Sequence, residues 1–326
     1  MTKRTRVFLF AAAGVVLTAL ATGLVAWAMA ASALGGGASD ELTYVPASAR
    51  MVAYADIRQV MNSPFHDRIR QLQRSSPAGP DGLEARTGIR FDTDVDRVLI
   101  ASTASNASFD RTEGSLLIAR GRFDAVRIEG LMRDQGGQVE QYKGKRIIAI
   151  DSAGHDAALT FAESSLLIFG PHDSVRGALD ANSGAAAGIT TNREFMMLID
   201  GVDEGTAWSV AKFDSVSERA PLPPGLINQL PPINWLAASG RIGTGLHGVV
   251  RAEAQDVQSA QNLRDVVQGF LALARLQGGR DPAYKGVLDS VALTADGKSV
   301  SLTFDVTPAA LDLLTPGGPP TRGPAR

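Results

Sequence analysis

Residues Val7 to Ala31 run for 25 positions without a charged side chain, and no other stretch is both as long and as apolar. At ~1.5 Å of rise per residue a helix of that length exceeds a ~30 Å hydrocarbon core, so it spans a bilayer with some tilt. Lys3, Arg4 and Arg6 stand directly before it. The positive-inside bias therefore holds the N-terminus in the cytoplasm and sends everything after Ala31 outward. Ala28-Met29-Ala30 and Ala31-Ser32-Ala33 are small-x-small sites for a signal peptidase, whereas the length favours an uncleaved signal anchor over a signal peptide. The expected location is the cytoplasmic (inner) membrane, single-pass, with the body outside; the alternative is a secreted or periplasmic body after cleavage. The chain has no cysteine, which excludes a lipid-modified N-terminus, disulfides, thiolate metal sites and cysteine nucleophiles together.

The three basic residues ahead of the apolar segment belong to the inner side, so the remainder carries 29 basic against 34 acidic residues. Interspersed charges and a mildly acidic balance offer no basic stripe for a phosphate backbone, and no nucleic-acid partner is expected. The partners expected are the membrane, through the N-terminal helix, and an envelope protein; the oligomeric state stays open.

Along the chain, 34–43 reads as an exit linker (LGGGASDE and the two residues after it). Strands are expected at Met51–Asp56, Arg97–Ser102, Ser115–Arg120, Val139–Ile150, Ala157–Phe161 and Leu166–Phe169. Helices are expected after Ser63-Pro64, after Asp124 with Ile128, Leu131 and Met132 inward, and from Asp173. The small, aperiodic Ser183–Gly188 reads as an internal boundary. Beyond it, Thr191 and Glu194 form a capping-box pattern. Strands follow at Ala207–Phe213, Trp235–Ser239 and Gly248–Ala254, then a helix with Ala260, Leu263, Val267, Phe270 and Ala274 on one face. A last hairpin pairs Ser290–Thr294 with Ser299–Val306 around Asp296-Gly297.

Hairpins interleaved with helices predict an α+β fold. Tyr142-Lys143-Gly144 and Leu159-Thr160-Phe161 recur in the same order as Tyr284-Lys285-Gly286 and Leu302-Thr303-Phe304. Ala53-Tyr54-Ala55-Asp56 likewise resembles Ala211-Lys212-Phe213-Asp214. These echoes favour two tandem, duplicated antiparallel-sheet-plus-helix units. The expected division is 1–33 (basic stub and signal anchor or signal peptide), 34–43 (linker), 44–182 (first unit), 183–190 (linker), 191–314 (second unit) and 315–326 (disordered tail).

Chemistry fares less well. Gly243-Thr244-Gly245-Leu246-His247-Gly248 spells G-x-G-x-x-G, but a strand, not a helix, follows it, so a hairpin turn explains it better than a dinucleotide site. Three of the four histidines, His66, His155 and His172, precede aspartates that act as local caps and turn formers. The loop Ser102–Ser108 has no base to activate a serine. Leu222-Pro223-Pro224 and Leu230-Pro231-Pro232 read as a rigid connection, with an exposed interaction loop as the functional alternative. No catalytic, cofactor-binding or metal-ligating residue is assigned, no cofactor is expected, and the reading leans away from an enzyme.

The run Leu42-Thr43-Tyr44-Val45-Pro46-Ala47-Ser48-Ala49-Arg50-Met51-Val52-Ala53-Tyr54-Ala55-Asp56, followed by Asn62-Ser63-Pro64, resembles the opening of uncharacterised bacterial exported or membrane-anchored α+β proteins. Gly121-Arg122-Phe123-Asp124 before Tyr142-Lys143-Gly144 extends the likeness through much of 42–200. The resemblance implies export and a duplicated body, and brings no functional residue with it. A non-enzymatic binding or envelope-associated role is the leading expectation; an exported hydrolase with a site assembled from distant loops, and a lipid or apolar-ligand binder, are the alternatives.

Overall fold

The computed structural model describes residues 39–63, 88–103, 114–152, 155–202, 205–216, 230–278, 282–307 and 310. The apolar segment Val7–Ala31, the expected helix after Ser63-Pro64, most of the serine-rich loop, Leu222-Pro223-Pro224 and the tail from Thr315 lie outside them. Among the described residues no helix is long and apolar enough to cross a membrane.

Twelve strands form one continuous antiparallel sheet. They are β1 Met51–Asp56, β2 Val95–Ser102, β3 Ser115–Gly121, β4 Gln138–Tyr142, β5 Lys145–Ser152, β6 His155–Glu163, β7 Leu166–Gly170, β8 Ala207–Lys212, β9 Ile233–Ile242, β10 Leu246–Ala254, β11 Ala292–Asp296 and β12 Ser299–Val306. Their order across the sheet is β11-β12-β10-β9-β8-β1-β2-β3-β7-β6-β5-β4. Among the described residues the helices are α1 Ser39–Leu42, α2 Ile57–Met61, α3 Phe91–Asp94, α4 Ala125–Asp134, α5 His172–Asn182, α6 Arg193–Asp200, α7 Phe213–Val216, α8 Val257–Gly278 and α9 Pro282–Ser290.

This arrangement corrects the expectation of two tandem α+β units. β1 pairs with β2 on one side and with β8 on the other, Met51 opposite Ala211 and Ala55 opposite Ala207, so a single hydrogen-bonded ladder passes through the middle of the molecule. Strand pairing is made by backbone groups and leaves no mark in side-chain alternation, which is why the sequence pattern finds the strands and misses their union. The expected boundary at Ser183–Gly188 is stitched down. The Ala47 N–H donates to Ala187 O, the Ile189 N–H donates to Val45 O, and Pro46 forms a bridge with Gly188. Its first residues end α5: Gly184 takes φ +73° and the Ala185 N–H reaches back to Asp180 O, a left-handed helix stop that glycine accepts without strain.

Two of the three echoes also dissolve. Tyr142-Lys143-Gly144 turns the β4–β5 hairpin, with Lys143 and Gly144 both at positive φ as a type I′ turn requires, whereas Tyr284-Lys285-Gly286 lies inside α9. Leu159-Thr160-Phe161 sits in the second strand from β3, Leu302-Thr303-Phe304 in the strand next to β10. The Lys143-Gly144 turn splits the expected single strand Val139–Ile150 in two. Local caps set the helix starts: Asp124 accepts from the Arg127 N–H and Asp256 from the Ser259 N–H. Asn192, not Thr191, caps α6 by accepting from the Phe195 N–H at 3.1 Å, because Thr191 is used in the preceding 3₁₀ turn and Glu194 is turned toward Trp235.

Register sorts the side chains onto two faces, since directly opposite residues share a side. One face carries Trp208, Tyr54, Leu99, Ile118, Ile168 and Thr160 in an unbroken row from β8 to β6, all buried. Over it lie α5, α6 and the segment 39–49. The opposite face carries Ile148, against which α4 ends, and Ala252 and Val300, which pack with Ala260 and Leu263 of α8.

Candidate functional site

The most chemically distinctive place lies under the segment 39–49, here called the strap. Residues 39–43, placed in a linker by their composition, begin the packed body: Leu42, Tyr44, Val45 and Ala49 are buried in the core, and the Thr43 hydroxyl bonds Asn182 at the end of α5. Glu41, in α1, is 1% exposed.

Its partners come from the sheet. Arg97 of β2 and Arg120 of β3 are directly opposite one another in register, a like-charged pairing that destabilises a sheet unless something neutralises it. Glu41 does so. The Arg120 Nε donates to Glu41 Oε1 at 2.5 Å, and Arg97 Nε lies 3.0 Å from the same oxygen. Arg120 Nη1 continues to Glu163 Oε2 at 3.0 Å and Ser165 Oγ at 3.3 Å. Burial would lower the Arg120 pKa, but its hydrogen bonds to Glu41 and Glu163 outweigh that and raise it. Glu41 Oε2, by contrast, is buried with no hydrogen-bond partner among the described residues. Burial pushes Tyr54, which bonds Arg97, up to about 12 against the opposing pull of that arginine, and pushes Tyr44 up as well. Tyr54 stacks on Trp208 across the β1–β8 pairing, ring centroids 5.6 Å apart.

A second feature is a bare polar surface. Beyond β9, the face that carries the strap is largely open among the described residues, the C-terminal end of α6 at Gly201 reaching as far as the Arg251 guanidinium. Arg241, His247 and Asp305 form one row; Val249 and Thr303, then Arg251 and Ser301, form the next two, and all of them are exposed or half-buried. His247 Nδ1 lies 2.8 Å from Asp305 Oδ1. Arg251 donates to Ser299 Oγ, which donates to Glu253.

The residues singled out in the sequence do not converge. Gly243–Gly248 forms the β9–β10 turn and the start of β10, where a Cβ on Gly248 would stand 2.3 Å from the Phe304 ring; glycine is there for packing. His172 pairs with Glu140 at 2.8 Å, on the edge strand β4, while His247 pairs with Asp305 near the other end of the sheet. His66 lies outside the described residues. Of the serine-rich loop, Ser102 is buried in β2. Pro232 accepts from the Gln255 N–H, fixing the entry to β9. Among the described residues no group of three or more His, Asp and Glu side chains is placed to hold a metal ion. The Arg97–Arg120–Glu41 cluster was missed because Glu41 hides in a glycine-rich stretch. The available signal was two arginines at core-facing positions of otherwise apolar strands.

No family model matches the chain, and no curated protein matches it. Its fold is similar to that of TP0453: crystal form III superposes with a TM-score of 0.51 at 11% identity, covering 83% of this chain and 95% of that one. Crystal form IV gives 0.50 at 11% identity, with coverages of 84% and 94%. At that identity the likeness concerns the fold alone.

Proposed function

We propose that this chain is a single-pass protein of the cytoplasmic membrane whose body, outside, has a non-enzymatic binding role in the envelope. The observation that carries the reading is the strap. Only Ser32–Ala38 separate the apolar segment from the first described residue, and seven residues reach at most about 25 Å. The strap that follows is fixed into the sheet by buried side chains, an ionic cluster and backbone hydrogen bonds rather than left as a free linker. Such an attachment holds the sheet close to the bilayer, which suits a docking platform. The uncovered rows of β10 and β12 are the surface assigned to the partner: Arg251, Ser301 and Thr303 offer donors and acceptors there, beside the His247–Asp305 pair.

Membrane fractionation and N-terminal sequencing test the tether: the full-length chain should sediment with membranes and begin at or near Met1. A mature N-terminus after Ala30 or Ala33 would replace the anchor by a secreted body. A photo-crosslinker at Thr303 should capture an envelope partner that one at Val126, exposed on α4, does not. Turnover by the purified protein in a broad hydrolase screen, abolished by mutating one polar cluster, would sink the non-enzymatic reading.

A further inference from the structure

The geometry points to the Arg97–Arg120 pair as a carboxylate-binding site that the chain's own Glu41 occupies as a replaceable pseudo-ligand. The site does not depend on where the N-terminus is anchored or cleaved. Two guanidinium groups fixed opposite each other on adjacent strands are complementary to a carboxylate, which can take one donor on each oxygen. Glu41 uses them poorly. Both Nε donors fall on Oε1, at 2.5 and 3.0 Å, while Oε2 is buried without a partner among the described residues. A carboxyl tethered by α1 is held in this one-oxygen pose by the backbone around it. A carboxylate free to rotate can give each arginine its own oxygen, so the site favours an untethered ligand once the glutamate is withdrawn. Ser165 and Glu163 fix the far side of Arg120 and Tyr54 bonds Arg97, so the pair stays in place without Glu41. The class of ligand is thus a small carboxylate or the terminal or side-chain carboxylate of a peptide, entering where the strap lies.

The test uses the full chain in detergent with Glu41→Ala, purified in parallel in sodium acetate and in sodium chloride at equal ionic strength. Acetate should raise the Tm of the variant by about 3 °C or more over chloride. The rise should saturate, and should be absent from the wild type and from Glu41→Ala/Arg120→Met. A variant that folds only in acetate supports the site equally. Equal midpoints in the two salts, a rise of the same size in the wild type or the double variant, or failure to fold in either salt overturns it.

Discussion

Counted outward from the β1–β8 pairing, the two sides of the sheet place residues in matching rows and fill them with opposite chemistry. On one side Leu99, Ile118 and Ile168 lie in a row on β2, β3 and β7; on the other the same steps lead to Ala237, Arg251 and Ser301 on β9, β10 and β12. The first row is fully buried, under α5 and the strap, whereas Arg251 and Ser301 face outward. One row further along, Asp56, Arg97, Arg120 and Leu166 correspond to Lys212, Trp235, Glu253 and Ser299, with the charge reversed at the first and third places. Glu41 neutralises the arginines on one side. On the other, Trp235 is met edge-on by Phe195 at 5.2 Å, donates to Glu194 at 2.9 Å, and lies beneath Lys212. A shared strand arrangement thus leaves the choice of cover to the side chains in each row.

The largest contrast should be in packing. Ile118→Ala should cost about 2 to 5 kcal/mol in denaturant unfolding, and Arg251→Ala, at the matching place, less than about 1 kcal/mol. Equal losses would mean the open side is covered after all. Next comes the ionic row. Arg120→Met should cost about 2 to 3 kcal/mol, below the range for a fully buried pair because Arg120 is partly exposed. A double-mutant cycle with Glu41→Leu should return a coupling above about 1 kcal/mol, since replacing both charges removes the unpaired survivor. Glu253→Leu in the opposite row, where its partners are a serine and a half-exposed arginine, should change stability by less.

The smallest effect is electrostatic and belongs to the helix that covers the first side. The Lys143 ammonium and the Tyr142 hydroxyl bond Asp180 of α5 and hold its carboxyl below the ordinary 3.8. The folded state therefore binds this proton less readily than the unfolded chain. The resulting stability is complete above the unfolded value and is lost as pH falls through the lowered one. Asp180→Asn should lower neutral stability by less than about 1 kcal/mol, as Asp180 is partly exposed, and flatten the acid limb of a stability-against-pH curve by the same amount, the two proteins converging at low pH. An unchanged acid limb would remove this contact from the forces that seat α5.

Much of the local structure was legible because it is written in neighbouring residues. Met51–Asp56, Asp124 as a cap and the long face from Ala260 to Ala274 follow from alternation, caps and 3.6-residue spacing. What pairs with Met51–Asp56 was not legible, since Ala207 to Ala211 face it through backbone groups that every strand possesses. Helix α9 was not expected, since Pro282 and Gly286 are poor helix formers, although Leu288 is buried and the carbonyls of Leu288 and Val291 accept from Arg275. For the candidate site, composition misled: a glycine-rich approach made Ser39–Leu42 look like a tether, while the two inward arginines that need its carboxylate lie 56 and 79 positions further on.

The β1–β8 pairing also sets an order of assembly. β1 can join β2 and β3 as soon as they emerge, but its other edge has no partner until residues 207 to 211 have been made, more than 150 positions later. A chain made from its N-terminus therefore completes one side of the sheet while the edge of β1, Met51 to Ala55, is still exposed. Such an edge invites pairing with other chains. Five residues is a short edge, which limits that hazard. While the chain is being made the molecule is most vulnerable at its centre, and the last hydrogen bonds to form there convert two half-made edges into the interior of one sheet.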